Sequence, residues 1–201
     1  MPAIRTLQSL LAPVPVDRFV AESWEQLHVP NVRRDPGCYG TLFTCGDFDR
    51  CLHVARETQR DLLTMVPPQG SDARPRRVRG IDLDTRELYR LFADGWTLVI
   101  NLLEKLWPPV AELGAALEGP VGASVFINAY LTPAQSQGFD VHYDPHDVFV
   151  LHVEGSKTCS IYGRFYEFPL DKSDGRHYLR EQVRLGEPDK QRFLEELTLT
   201  T

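Results

Sequence analysis

Apolar residues recur at helical spacing through much of the first half of this chain and gather into short extended runs in its last third. Residues 5–12 read as a short helix, closed off by Pro13 and Pro15. From Val16 to Leu27 the spacing stays helical, with Phe19, Trp24 and Leu27 on one apolar side, and His28 to Val32 reads as extended. Asp35-Pro36-Gly37 is a turn sequence. Thr44 to Leu52 predicts a helix capped by Thr44 or Asp47. Leu62–Val66 predicts a strand stopped by Pro67-Pro68, and residues 67–80 form a polar stretch rich in Pro, Gly and Arg that reads as a loop. Asp84–Asp94 predicts a helix with Leu88, Leu91 and Phe92 inward, ended by Gly95, and Trp96–Asn101 a strand. Leu102–Leu117 reads as a helix broken or kinked at Pro108-Pro109. Beyond Ala123, Ser124–Leu131 and Asp147–Val153 read as strands, with Ser156–Tyr162 completing a hairpin around Glu154-Gly155. Residues 164–189 are polar and loop-like, and Phe193–Thr200 is a last extended segment. Helices followed by clustered antiparallel strands predict an α+β fold with a β-sandwich or barrel core.

A length of 201 residues suits a single domain, mainly helical over 1–122 and strand-rich over 123–201. The net charge of −6 weighs against a general nucleic-acid binder, and the basic run Arg74–Arg79 reads as a solvated loop in preference to a contact with rRNA or an acidic partner. Cys38, Cys45, Cys51 and Cys159 form no Cys-x-x-Cys pair and read as free thiols of a reducing compartment rather than a zinc cluster. No window approaches the ~20 apolar residues of a membrane span, and the N-terminus lacks a leader pattern. The expectation is a soluble, cytoplasmic protein with no membrane partner. Gly37, Gly40 and Gly46 precede no Gly-Lys-Ser/Thr, and no serine stands in a nucleophile-elbow context, which leaves phosphate-loop and serine-hydrolase chemistry without support.

The chemistry concentrates between Asn128 and Lys157. His142 and Asp144 are two residues apart, so on an extended backbone their side chains point the same way. A neutral nitrogen and an anionic oxygen so placed can supply two of the three donors of a facial iron(II) site. The bland alternative is a surface histidine beside an aspartate. Lys157, just past the Gly155 turn, could place a buried cation facing the same cavity; otherwise it is a turn lysine in water. Asn128 and Tyr130 share one strand face and offer an amide and a phenol, unless they are satisfied core polar groups.

Taken together, Asn128-x-Tyr130-Leu-Thr-Pro, Ser136-Gln-Gly-Phe139, His142-x-Asp144, His146-Asp-Val-Phe-Val-Leu151 and Glu154-Gly-x-Lys157 resemble the JmjC-type ribosomal-oxygenase-like proteins, the cupin-4 family. Weaker similarity runs back through Asp94–Asn101, Leu106-Trp-Pro-Pro109 and Trp24-Glu25. The resemblance implies a cupin/JmjC-like double-stranded β-helix with flanking N-terminal helices. It implies Fe(II) as cofactor and 2-oxoglutarate as co-substrate, with hydroxylation of a protein side chain, a ribosomal protein among the expected substrates. It assigns His142 and Asp144 to the metal, Lys157 to the distal carboxylate of 2-oxoglutarate, and Asn128 and Tyr130 to the lining of the site.

Three departures bear on that reading. His152 stands where the family often has Gln, and Cys159 where it often has Trp. The family's distal histidine follows a Gly-Asp-x-Leu-Tyr-x-Pro segment for which Leu197–Thr201 reads as the lead-in, so the β-helix is expected to be incomplete at the C-terminus and the third metal ligand absent. His177 lies in the polar loop and His146 belongs to the ordinary family pattern, so neither is promoted to ligand. The dimerisation elements of many members are likewise expected to be absent, which leaves dimer formation open. A non-catalytic cupin-like binding module stands as the alternative to the oxygenase. A metal-dependent cupin isomerase or lyase, which would need no Lys157, is the third possibility.

Overall fold

The computed structural model describes residues 4–31, 33, 35, 37–57, 62–78, 84–139, 142, 144, 146–163 and 193–200. The expected polar loop 164–189, with His177, lies outside the described residues.

Helix α1 (Leu7–Leu11) starts at a reciprocal cap. The Thr6 hydroxyl accepts from the Ser9 backbone N–H, and the Ser9 hydroxyl accepts from the Thr6 N–H. Helix α2 (Val16–Glu22) is shorter than its apolar spacing predicts. Glu25 adopts φ 57°, a left-handed conformation that no helix continues through, so Leu27 is exposed rather than inward. Helix α3 (Cys45–Glu57) outruns its expected end. Thr44 and Asp47 cap it together: the Thr44 hydroxyl accepts from the Asp47 N–H at 3.2 Å and the Asp47 carboxylate accepts from the Thr44 N–H at 3.1 Å. Phe48, Cys51, Leu52 and Ala55 form its buried stripe.

Strands β1 (Leu63–Val66), β2 (Arg76–Val78), β3 (Thr97–Ile100) and β4 (Ala129–Leu131) make one antiparallel sheet in the order β2-β1-β3-β4. β2 falls within the stretch expected to be loop. Its arginines carry no strand-like apolar alternation, and pairing with β1 alone makes it a strand. Charge on an edge strand is common, because it discourages further pairing. Helix α4 (Thr85–Ala93), capped by the Asp84 carboxylate, leads into β3 through Gly95 at φ 94°. A single 3-10 turn (Leu103–Lys105) then precedes helix α5 (Pro108–Val121). Pro108 and Pro109 therefore start α5 instead of kinking it, since first-turn N–H groups have no intrahelical acceptor to lose. Ile100, Met65, Leu98, Leu52 and Leu88 sit at the centre of a core that α1, α3 and α5 complete with Leu10, Phe48, Leu113 and Leu117.

Two strand expectations in the last third fail, the first because its backbone groups are engaged elsewhere. Before β4, the Leu103 N–H donates to the Ile127 carbonyl, the Ile127 N–H to the Glu104 carboxylate and the Val125 N–H to the Glu118 carboxylate. β4 is therefore three residues long rather than the expected run from Ser124. Residues 147–153 form no strand, although Phe149 and Leu151 pack on the core, Phe149 stacking on Trp24 at 6.0 Å. The predicted hairpin of 147–153 with 156–162 is thus absent. Strand β5 (Ser156–Tyr162) pairs instead with β6 (Phe193–Thr200), Lys157 opposite Leu199. Two contacts tie this second sheet to the helical part: His28 with the Glu195 carboxylate, and the Cys45 N–H donating to the Glu154 carboxylate at 3.3 Å. The α+β class holds. Among the described residues the strands form two antiparallel sheets and no closed barrel. No described helix is long and apolar enough to cross a membrane.

Candidate functional site

β4 has two faces, and the candidate residues lie on the one turned from the core. Val125, Ile127, Ala129 and Leu131 pack on the core, while the alternating Phe126, Asn128 and Tyr130 are exposed. Tyr130 sits opposite Val99 of β3, so its position is registered to the central sheet. The Asn128 side-chain oxygen accepts from the Leu102 N–H at 3.1 Å, steadying a residue at φ 54° and leaving the amide nitrogen as the group Asn128 can offer. Neither residue is a buried core polar group.

The turn after β4 is pinned to the sheet by three contacts. The Gln69 N–H donates to the Gln137 carbonyl at 2.7 Å. The Thr97 hydroxyl, buried on β3, lies 3.0 Å from the Thr132 hydroxyl. Gly138 seats directly on Thr97: a Cβ added there would stand 2.6 Å from the Thr97 Oγ1 and 3.1 Å from its Cβ. A glycine is thus required by proximity, not by an unusual φ.

Phe139 follows immediately. Its ring meets Tyr130 edge-on at 5.8 Å and 77°, and lies 5.7 Å from the His142 ring at 43°. Tyr130 and His142, twelve positions apart in sequence, are thereby joined through one phenyl ring. His142 is exposed and Asp144 half-buried; Val141, Tyr143 and Pro145 lie outside the described residues. Phe139 stands in the Ser136-Gln-Gly-Phe139 motif, where the resemblance assigns it no role. A large apolar residue after glycine in an otherwise polar turn was the available signal.

Lys157 is exposed on β5 rather than buried, and among the described residues its ammonium forms no ion pair. It shares a strand face with Cys159 and Ile161, and through the register with Glu195 of β6. The structure brings Tyr130 and His142 together and shows no described contact joining Lys157 to either. His152 is half-buried, its Nε2 3.1 Å from the Gly155 carbonyl oxygen, which fits a hydrogen-bonded histidine better than a ligand.

The cysteines are free thiols. Burial of the sulfur, then the neighbouring Glu154 carboxylate, pushes the Cys45 thiol up to about 11. Burial, with Asp47 adding to it, pushes the Cys51 thiol up to about 11. Neither is a reactive thiolate near neutral pH. Among the described residues no three His, Cys, Asp or Glu side chains converge closely enough to hold a metal ion. An imidazole nitrogen and a carboxylate oxygen remain the right donor types for iron(II), so His142 and Asp144 fit in kind as two donors.

Comparison with known proteins now bears on this arrangement. Residues 110–196 match a JmjC domain model. Ribosomal oxygenase 1 of Rattus norvegicus is 31% identical over 205 aligned residues, covering 96% of this chain and 32% of that protein. These matches, over nearly the whole chain, support its placement with the ribosomal-oxygenase-like JmjC family. Ribosomal oxygenase 1 of Homo sapiens is 30% identical over 96% of the chain and 30% of its own length. The bifunctional lysine-specific demethylase and histidyl-hydroxylase NO66 of Drosophila pseudoobscura pseudoobscura is 28% identical over 92% of the chain and 19% of its own. This chain therefore spans about a third or less of the length of the curated relatives it matches.

Proposed function

We propose that the chain carries part of the centre of an iron(II)- and 2-oxoglutarate-dependent oxygenase that hydroxylates a protein side chain, within a cupin-like double-stranded β-helix. The supporting observation is the turn held to β3 and to Gln69 beyond β1, which carries Phe139, whose ring meets both Tyr130 of β4 and His142. Iron(II), 2-oxoglutarate and dioxygen, when bound, would supply the oxidising chemistry that turns a C–H bond into C–OH, one oxygen atom of dioxygen going to the product and the other to succinate, with carbon dioxide released. His142 and Asp144 would hold the metal. Lys157 would neutralise the distal carboxylate of 2-oxoglutarate as a compact cation. Asn128 would offer an amide N–H and Tyr130 a phenol to whatever lies against the β4 face. The names of the relatives suggest a substrate, the side chain of a ribosomal protein; the NO66 name gives histidine for hydroxylation and lysine for demethylation.

A non-catalytic binding module is the second reading, favoured by the exposure of Lys157 and by the two-donor set among the described residues. Anaerobic titration with iron(II) and 2-oxoglutarate separates the two. The oxygenase reading expects the weak visible charge-transfer band of the chelate, and about tenfold or greater loss of 2-oxoglutarate affinity in Lys157→Ala, since a charge-assisted contact is worth roughly 1.5–3 kcal/mol. Absence of the band at saturation would favour the module. A band with unchanged 2-oxoglutarate affinity in the variant would remove Lys157 from the site.

A further inference from the structure

We propose that Phe139 is a positioning residue for the His142 imidazole, a candidate metal donor, holding it in one rotamer. The metal part of this inference rests on the function proposed above. His142 is exposed and belongs to no helix or strand, so secondary structure does not select its rotamer. One ring that reaches it belongs to a relay that begins in the central sheet. Tyr130 is registered opposite Val99, its ring takes the Phe139 ring edge-on at 5.8 Å, and Phe139 meets the imidazole at 5.7 Å. The other end of Phe139 is equally fixed. Gly138 is seated on buried Thr97, and the Gln137 side-chain amide donates to the Phe139 carbonyl at 2.9 Å. A ring 42% exposed contributes little to the core, yet it is held from both sides. That combination suits a part that orients a neighbour better than one that fills volume.

The test uses the full chain with Phe139→Ala, Phe139→Leu and Phe139→Tyr. The first readout needs no metal: the χ1 coupling of His142 and its cross-relaxation with residue 139, by nuclear magnetic resonance. The second is the affinity for Co(II), followed by its visible absorption. Phe139→Ala and Phe139→Leu are expected to average the His142 rotamers and to weaken Co(II) about tenfold, as loss of a group orienting a ligand does. Phe139→Tyr, which keeps the ring, is expected to restore both, with unfolding midpoints nearly unchanged throughout. An unaltered His142 rotamer in both truncations would overturn the proposal. So would averaged rotamers with unaltered Co(II) affinity, which would leave the proposed function standing. If the rotamers respond as expected but no variant, wild type included, binds Co(II), Phe139 still orients the imidazole and it is the oxygenase reading that fails.

Discussion

Gly138→Ala is the sharpest test of how the turn before His142 is held. The added methyl would stand 2.6 Å from the Thr97 Oγ1, 3.1 Å from the Thr97 Cβ and 3.5 Å from the Val66 Cγ1. Thr97 cannot yield. It is 1% exposed, β-branched, set in a strand paired on both sides, and hydrogen-bonded to Thr132. The turn must lift instead, straining the Gln69–Gln137 hydrogen bond. Overpacking of this kind costs about 1–3 kcal/mol. In a chain of this length that lowers Tm by roughly 2–4 °C per kcal/mol. Urea unfolding followed by circular dichroism reads the change directly. Gly46→Ala, at an exposed position of α3 where the nearest atom would be 3.7 Å away, is the control and should be neutral or stabilising by up to about 1 kcal/mol. Thr97→Ala removes the closest atom, so the double variant should lose about 1 kcal/mol less than the sum of the two single losses. An unmoved midpoint in Gly138→Ala, or strictly additive losses, would refute the seating of Gly138 on Thr97.

Three further predictions concern groups away from that turn. Thr44→Ala should cost about 1 kcal/mol, because the reciprocal cap with Asp47 is lost at the start of α3; a change under a few tenths would show the cap to be idle. Alkylation of Cys45 by iodoacetamide should rise with a midpoint near pH 11, and Glu154→Gln should shift that midpoint down; equal profiles would remove Glu154 as a cause. The folded Cys51 thiol binds its proton more tightly than an unfolded one, so it contributes stability below about pH 9 that is lost as pH rises towards about 11. Cys51→Ala should flatten that part of the stability curve, and an unchanged slope would contradict the assignment.

What local sequence settled is what local physics settles. The cap at Thr44 and Asp47, the inward Leu88 of α4, and the apolar runs of β1 and β3 were legible because each depends on residues within a few positions of one another. The spacing of Asn128 with Tyr130, and of His142 with Asp144, was legible for the same reason. Tertiary structure decided where long-range partners compete. The arginine-rich β2 is a strand because β1 offers it a ladder, and β4 is short because the 3-10 turn and two glutamates take the hydrogen bonds of residues 125–127. Residues 147–153 carry a strand pattern and form none, while β5 pairs with a segment far along the chain. Likewise a glycine at 138 and a phenylalanine at 139 can be read as letters, but only the closeness of Thr97, Tyr130 and His142 gives them their work. Side-chain periodicity is written residue by residue; which donor meets which acceptor across the fold is a competition among distant groups that no single stretch of sequence contains.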